Sequence, residues 1–364
     1  MSWPTRMMTL LSISALAVGC GDAILFLGDV PARMRLVAGA PGERGTATGE
    51  TALDSRFQGP QGLVASADGT LFIADAPVGR VLRLDVDGTL TALYDLRECD
   101  QSCPLAPAGL ALNAEGDLLV ADPGGRRVWL LDPVSGQRAA FAGDGSSVPA
   151  PDGVDRLAGG LVAPSDVAVG PEGTVYVADD GAHRVRAVDS EGLLATVAGT
   201  GEEGDDGDGG AALAARMDRP VGLALVGETL FVADSASHRV RAVSLADGTI
   251  EGVAGSGDLG FGGDGRAGLE ARLSAPQGLA ASGDGATLFI ADVGNHRVRV
   301  LDRATGIVRT FAGNGETAFA GDGLPAGATA LDAPWALALA GGVLFVADRA
   351  QFIVLRTEVL GVTE

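Results

Sequence analysis

The sequence predicts an all-β chain folded as a six-bladed propeller, and three observations predict it. Six segments of the 364 residues share one template: a proline, a strand of small residues, an apolar strand ending Ala-Asp, and a third apolar strand, usually opened by Arg-Val. Two landmarks inside that template keep the same rhythm. The Ala-Asp aspartates are Asp75, Asp122, Asp179, Asp234, Asp292 and Asp348, and the leading prolines are Pro60, Pro107, Pro164, Pro220, Pro276 and Pro334. Both series advance by 47 to 58 residues per step. Finally, the last unit lacks an outer strand, and Arg35–Gly39 at the start of the chain supplies a matching one, so the ring closes by interleaving its termini.

Each unit reads as four short strands. In the fourth, 222–225 alternates small and large residues, 230–234 is a buried run, 240–243 alternates again, and 249–253 leads into Ala254-Gly255. Such patterning bounded by Gly and Asp marks strands, and Asp-Gly pairs such as Asp68-Gly69 and Asp247-Gly248 supply the turns. One four-stranded sheet cannot bury both faces, so the units must stack, and radial stacking is the propeller solution. The Ala-Gly ending at Gly143, Gly199, Gly255 and Gly313 recurs at Gly39, which is the basis for closure. An outer strand from Leu360–Glu364 is the alternative, and it leaves Arg35–Gly39 unpaired. Gly-Asp-Gly elements at Asp208, Asp264 and Asp322, followed by Ala/Leu-rich stretches, lengthen the repeat and predict one or two helical turns before each proline.

Composition bounds the partners. There are 26 basic against 47 acidic residues, a net charge of −21, and every basic residue is Arg. A chain this acidic is repelled by phosphate backbones, which disfavours nucleic acid. At 46% hydrophobic residues it is not a disordered chain. The 56 glycines are mostly repeat punctuation, and the expected state is a monomer.

Residues 1–19 read as a processing signal. Arg6 precedes the short apolar run Met7–Leu16, too short to span a bilayer as a mature helix, and Ala17-Val18-Gly19-Cys20 follows. Small residues before a cysteine resemble the bacterial lipoprotein signal. That resemblance implies a lipidated Cys20, a short tether over 20–33, a propeller over 34–364, and a place in the cell envelope, on an outer membrane or facing the periplasm. In such an oxidising compartment the two remaining cysteines, Cys99 and Cys103, read as a local disulfide.

The repeat itself resembles the NHL-repeat family. The carrying residues are the Pro-x-Gly-Leu-Ala type strand, the Ala-Asp ending and the runs His183–Arg186, His238–Arg241 and His296–Arg299, with Asn295 completing the motif once. Units one, two and six lack the histidine. The resemblance implies a propeller, and one fold carries many activities.

Candidate sites follow from the repeat. The three histidines and six Ala-Asp aspartates read as structural, the aspartates accepting hydrogen bonds from the turn that follows them. The acidic loop Glu202–Asp208 gathers oxygens that suit Ca²⁺ at Asp205, Asp206 and Asp208, against the reading of a solvated turn. The inner strands line the channel. Their second residues are Gly62, Gly109, Asp166, Gly222, Gly278 and Ala336, so Asp166 is anomalous in a column of tiny residues. The preceding column is Gln61, Ala108, Ser165, Val221, Gln277 and Trp335. Gln61, Ser165, Asp166, Gln277 and Trp335 are therefore the candidate binding residues at one channel mouth. No nucleophile elbow, His-Glu-x-x-His or phosphate loop is present. The expected function is a lipid-anchored extracytoplasmic scaffold for a protein or envelope component. The alternative is a metal-dependent lyase or lactonase acting at the channel mouth.

Overall fold

The computed structural model describes residues 32–45, 51–95 and 106–359. The disulfide expected between Cys99 and Cys103 lies outside the described residues, as do Cys20, the 1–19 signal and the 360–364 segment. Six antiparallel sheets of four or five strands follow one another along the chain. Their inner strands are Pro60–Ala65, Leu110–Leu112, Pro164–Val169, Pro220–Val226, Pro276–Ala281 and Pro334–Ala340, here taken as blades 1 to 6. Each inner strand touches the next around the axis, and the first touches the last.

The sequence pattern explains which strand goes where. The second strand of each blade is packed by neighbours on both faces and is largely apolar up to its terminal aspartate, as in Leu71–Asp75 and Thr287–Asp292, every residue of which is buried. The outermost strands face solvent on one side and alternate, as in Thr249–Ala254 and Ile307–Ala312. The core is accordingly six apolar layers, one between each pair of neighbouring blades. Phe72 and Ala74 meet Leu118 and Val120 between blades 1 and 2, and Ile73 meets Phe345 and Ala347 between blades 1 and 6.

Closure takes the interleaved form. Arg35–Ala38 pairs antiparallel with Ile353–Glu358, placing Arg35 opposite Arg356 and Leu36 opposite Leu355. A register shift then sets Ala38 opposite Val354. All five other blades carry the same shift, with Ala142 opposite Val128, Ala198 opposite Val185, Ala254 opposite Val240, Ala312 opposite Val298 and, in blade 1, Tyr94 opposite Val81. Gly39 completes the equivalence. Like Gly255 and Gly313 it has φ near +90°, and a Cβ there would overlap the carbonyl of the residue opening the third strand, Phe352. A side chain is excluded both by conformation and by space.

The inserts carry the short helical turns expected, at the lower end of the one or two turns predicted. Their Ala-rich stretches form single 3-10 turns, Ala212–Ala214, Gly268–Glu270 and Ala326–Ala328, and not longer helices. In the first two, the next residue, Ala215 or Ala271, is extended and fully buried between blades, which stops the turn after three residues. Among the described residues no helix is long and apolar enough to cross a membrane.

Two stability outcomes follow. Gly39→Ala forces a side chain against the Phe352 carbonyl and loosens the closing strand, lowering unfolding free energy by ~1–3 kcal/mol in chemical denaturation. Gly42→Ala, also at positive φ but in open space, costs less than Gly39→Ala in the same assay.

Candidate functional site

The aspartate ending each second strand is fully buried in all six blades, and its donors lie upstream. The N–H groups of Gln58 and Gly59 reach Asp75 Oδ1 at 3.0 and 2.9 Å, and those of Val162 and Ala163 reach Asp179 Oδ1 at 2.9 and 2.7 Å. Ala106, Asp218, Ser274 and the pair Asp332 and Ala333 do the same for Asp122, Asp234, Asp292 and Asp348. This corrects the expectation that the turn after the aspartate supplies the donors. That turn contributes only in part, through the N–H groups of Gly125 to Asp122 and Gln351 to Asp348 and the Asn295 side-chain N–H to Asp292 Oδ2 at 2.8 Å. The main donors are in the segment leading into the inner strand of the same blade. Burial raises the pKa of Asp75, Asp179, Asp234, Asp292 and Asp348 against the pull of these donors.

Buried arginines provide the countercharge. Arg80 Nη2 is 2.6 Å from Asp75 Oδ2, Arg241 Nη1 is 3.4 Å from Asp234 Oδ2, and Arg299 Nη1 is 3.2 Å from Asp292 Oδ2. In blade 2 Trp129 replaces the arginine, and its indole N–H donates to Asp122 Oδ2 at 2.9 Å. Buried arginines also recruit the insert aspartates: Arg186 meets Asp152 at 3.2 Å, Arg241 meets Asp208 at 2.7 Å and Arg299 meets Asp264 at 2.6 Å.

The acidic loop is thereby divided among different partners. Asp206 pairs with Arg216 at 2.7 Å, Asp205 with Arg239 at 3.5 Å, and Asp208 with Arg241. Among the described residues no three His, Cys, Asp or Glu side chains gather to hold a metal ion. The histidines stand apart, one per blade, and each reaches the next blade. His238 Nδ1 accepts the Ala275 N–H at 3.2 Å, His296 Nδ1 meets the Asp332 carbonyl, and His183 lies 3.9 Å from Asp218. All three are left-handed, with φ of 52° to 55°. Blade 1 has Gly79 at this position, where the conformation is free of strain.

The five predicted mouth residues, Gln61, Ser165, Asp166, Gln277 and Trp335, line one cavity of about 440 Å³ on the propeller axis. The cysteines predicted for lipidation and for the disulfide, Cys20 and the pair Cys99 and Cys103, belong to the segments outside the described residues, so no geometry is assigned to them. The glycine column explains how narrow the axis is. A Cβ on Gly62 or Gly222 would overlap the backbone of the adjacent inner strand, and one on Gly109 would overlap Asp166. Asp166 thus sits in space that its neighbour's missing side chain leaves open. Its Oδ2 accepts the Leu223 N–H of blade 4 at 2.8 Å, and its Oδ1 accepts the Val167 N–H at 2.9 Å. Desolvation outweighs both donors and raises its pKa to about 7.

The other four differ in how free they are. Ser165 Oγ faces the carbonyls of Ala178, Pro220 and Val221 at 3.1 to 3.3 Å, so its proton is taken by backbone. Gln277 Nε2 donates to Ser235 Oγ at 2.8 Å. Trp335 lies under the Arg349 guanidinium, 4.3 Å from Cζ to ring centroid. Turned to meet it, the Gln61 amide oxygen accepts from Arg349 Nε and Nη2 at 3.0 and 3.1 Å.

Sequence reasoning missed Arg349, together with the Asp180–Arg219 pair, 3.2 Å apart, whose two residues line the cavity on its other side. The column directly after Ala-Asp holds the signal. It reads Ala76, Pro123, Asp180, Ser235, Val293 and Arg349, with charge in only two blades.

Six radially stacked sheets, an axial cavity and strand-ending buried aspartates define a β-propeller of repeated blades. Within that propeller, one blade matches the NHL repeat. The NHL repeat model matches residues 161–188, the first three strands of blade 3. Human NHL repeat-containing protein 2 is 32% identical over 185 residues, covering 43% of this chain and 25% of its own length, so this chain spans only a minor part of that relative. Among solved structures, an auxiliary nutrient binding protein from Bacteroides ovatus superimposes with a TM-score of 0.67 at 16% identity, over 90% of this chain and 77% of that one. A gluconolactonase from Xanthomonas campestris gives 0.57 at 18% identity, over 90% and 96%. Similarity at this level of identity shows the fold alone.

Two outcomes test the geometry. Arg241→Met leaves Asp234 buried without its countercharge and costs ~3–5 kcal/mol in denaturant unfolding, and adding Asp234→Asn recovers part of that loss. The second concerns Asp166. With its pKa raised from 3.8 to about 7, the folded state keeps a proton that the unfolded state has released. Its contribution is present below about pH 4 and is lost as pH rises through about 7. Relative to Asp166→Ala, which cannot ionise, the wild type therefore loses ~1–3 kcal/mol of stability between about pH 4.5 and 8, read from paired denaturation curves.

Proposed function

We propose that the protein is a lipid-anchored, extracytoplasmic propeller that binds a protein or envelope component at its channel mouth and serves as a monomeric binding and assembly scaffold. The observation that carries this reading is the convergence of Gln61, Asp166, Gln277 and Trp335, with Asp180 and Arg219, on one axial cavity. These are the positions where six otherwise repeating blades depart from one another, and a few polar groups converging on a largely preformed cavity are what a specific site requires. A structural neighbour named as a nutrient binding protein has the same fold. The localisation rests on the small residues before Cys20, which resemble a lipoprotein signal.

Capture from detergent-solubilised envelope, using the full chain as bait, tests the reading. The expected result is one recurring partner whose recovery falls at least tenfold with Trp335→Ala. Equal recovery by both baits overturns the mouth as the binding surface. Mass spectrometry of the mature N-terminus checks the anchor: a diacylglyceryl-modified Cys20 is expected, and an unmodified terminus overturns it.

A second reading is supported by Asp166 itself. A carboxyl titrating near neutrality inside a cavity is suited to general acid–base work, and a gluconolactonase is among the structural neighbours. Hydrolysis of a sugar lactone that is abolished by Asp166→Asn, with the fold intact, favours this enzyme over the scaffold.

A further inference from the structure

Arg349 is a cation without a countercharge. Among the described residues it forms no ion pair, and burial acts on it with no acidic neighbour to offset the cost, which lowers its pKa from the ordinary arginine value. It remains charged at neutral pH all the same. Its place is the seam between blades 6 and 1, over Trp335 and against Gln61, both of which line the axial cavity. No other blade carries a cation at that repeat position.

The hydrogen-bond inventory of the guanidinium shows what is left to bind. It has five N–H donors. The Gln61 oxygen takes one from Nε and one from Nη2. Among the described residues neither Nη1 hydrogen nor the second Nη2 hydrogen meets an acceptor, and one Nη1 hydrogen with that Nη2 hydrogen forms the end-on fork whose spacing matches two oxygens of a carboxylate or phosphate. Trp335 beneath and Gln61 beside hold the plane of that fork, so little side-chain freedom is left to lose on binding.

The surrounding charge permits an anion despite the net −21. Asp180 is neutralised by Arg219 at 3.2 Å, and Asp166 carries less than a full negative charge near pH 7. More distant surface carboxylates are screened beyond about 8–10 Å in physiological salt. The inner-strand lining is otherwise small and apolar, chiefly Gly, Ala, Leu and Val.

We propose that the channel mouth takes a small organic oxyanion, a carboxylate or a phosphate monoester, on the free Nη1–Nη2 fork of Arg349. The inference rests on the channel mouth being a binding site. It adds that the recognised ligand, or the recognised group of a larger envelope component, is anionic.

Calorimetric titration of the full chain at fixed ionic strength tests it, with D-glucuronate, D-glucose 6-phosphate, inorganic phosphate and neutral D-glucose as probes. An organic anion is expected to bind at least tenfold more tightly than glucose, and Arg349→Gln is expected to abolish that preference. Arg349→Lys, which keeps the charge and loses the fork, falls between the two and covers the case in which the glutamine variant folds poorly. Tight, Arg349-dependent binding of inorganic phosphate supports the same chemistry and identifies free phosphate as the source. Anion binding unchanged in Arg349→Gln, or no anion bound in preference to glucose, overturns the proposal. Partner capture is scored in parallel with the Arg349→Gln bait. Capture that persists while no anion preference is found overturns the oxyanion alone, whereas failure of the wild-type bait overturns the binding reading beneath it.

Discussion

The buried aspartate that ends each second strand is the constraint on which the rest of the propeller depends. Each of the six has no solvent exposure, and an ionised carboxylate in such a place is tolerated only when donors and countercharge surround it. The donors come from the segment that leads into the inner strand, 15 to 18 residues earlier in the chain. Satisfying the charge therefore fixes where the inner strand begins and hence how closely six strands approach the axis. The countercharge is more variable than the carboxylate. Arg80, Trp129, Arg241 and Arg299 each meet it in a different blade, and in blade 6 a backbone N–H from Gln351 contributes.

The same network accounts for much of the acidity. Asp152, Asp208 and Asp264 extend from the inserts to the buried Arg186, Arg241 and Arg299. In the last blade Asp322 accepts the Leu36 N–H at 2.6 Å, so an insert aspartate also secures the closing strand. The Gly-Asp-Gly elements are thus part of the frame, tying the outer rim of one blade to the insert that precedes it. Their glycines let the chain turn tightly enough to present the carboxylate.

Much of this architecture is legible in the residues because it repeats. Asp and Pro landmarks recur with a common rhythm, and Ala38-Gly39 carries the signature of an outer strand before any pairing is known. The donors to the aspartates are not legible, because they are backbone groups brought in by folding and leave no residue signature. The length of the insert turns is hidden for a related reason. Alanine favours helix locally, yet burial of Ala215 and Ala271 in an extended conformation ends the turn after three residues. At the channel mouth, Asp166 stands out by replacing a glycine, and Gln61, Gln277 and Trp335 stand out by size and polarity. Arg349 escapes notice because its column has no template residue against which to depart.

Departure from the repeat has a definite geometry here. Blades 3 and 4 contribute Asp166, Asp180 and Arg219, while blades 6 and 1 contribute Trp335, Arg349 and Gln61. In a six-fold ring these pairs of blades stand on opposite sides of the axis. One side holds a matched ion pair and a carboxyl whose pKa is raised to about 7, and the other holds a cation whose polar side-chain partner among the described residues is an uncharged amide. An anionic ligand in the proposed site would meet a partly ionised carboxyl and a matched ion pair on one side and the Arg349 guanidinium on the other, so its orientation would be set by where its own negative charge lies. Six blades of one template would offer six equivalent orientations. The substitutions that break the symmetry would let the proposed site select one.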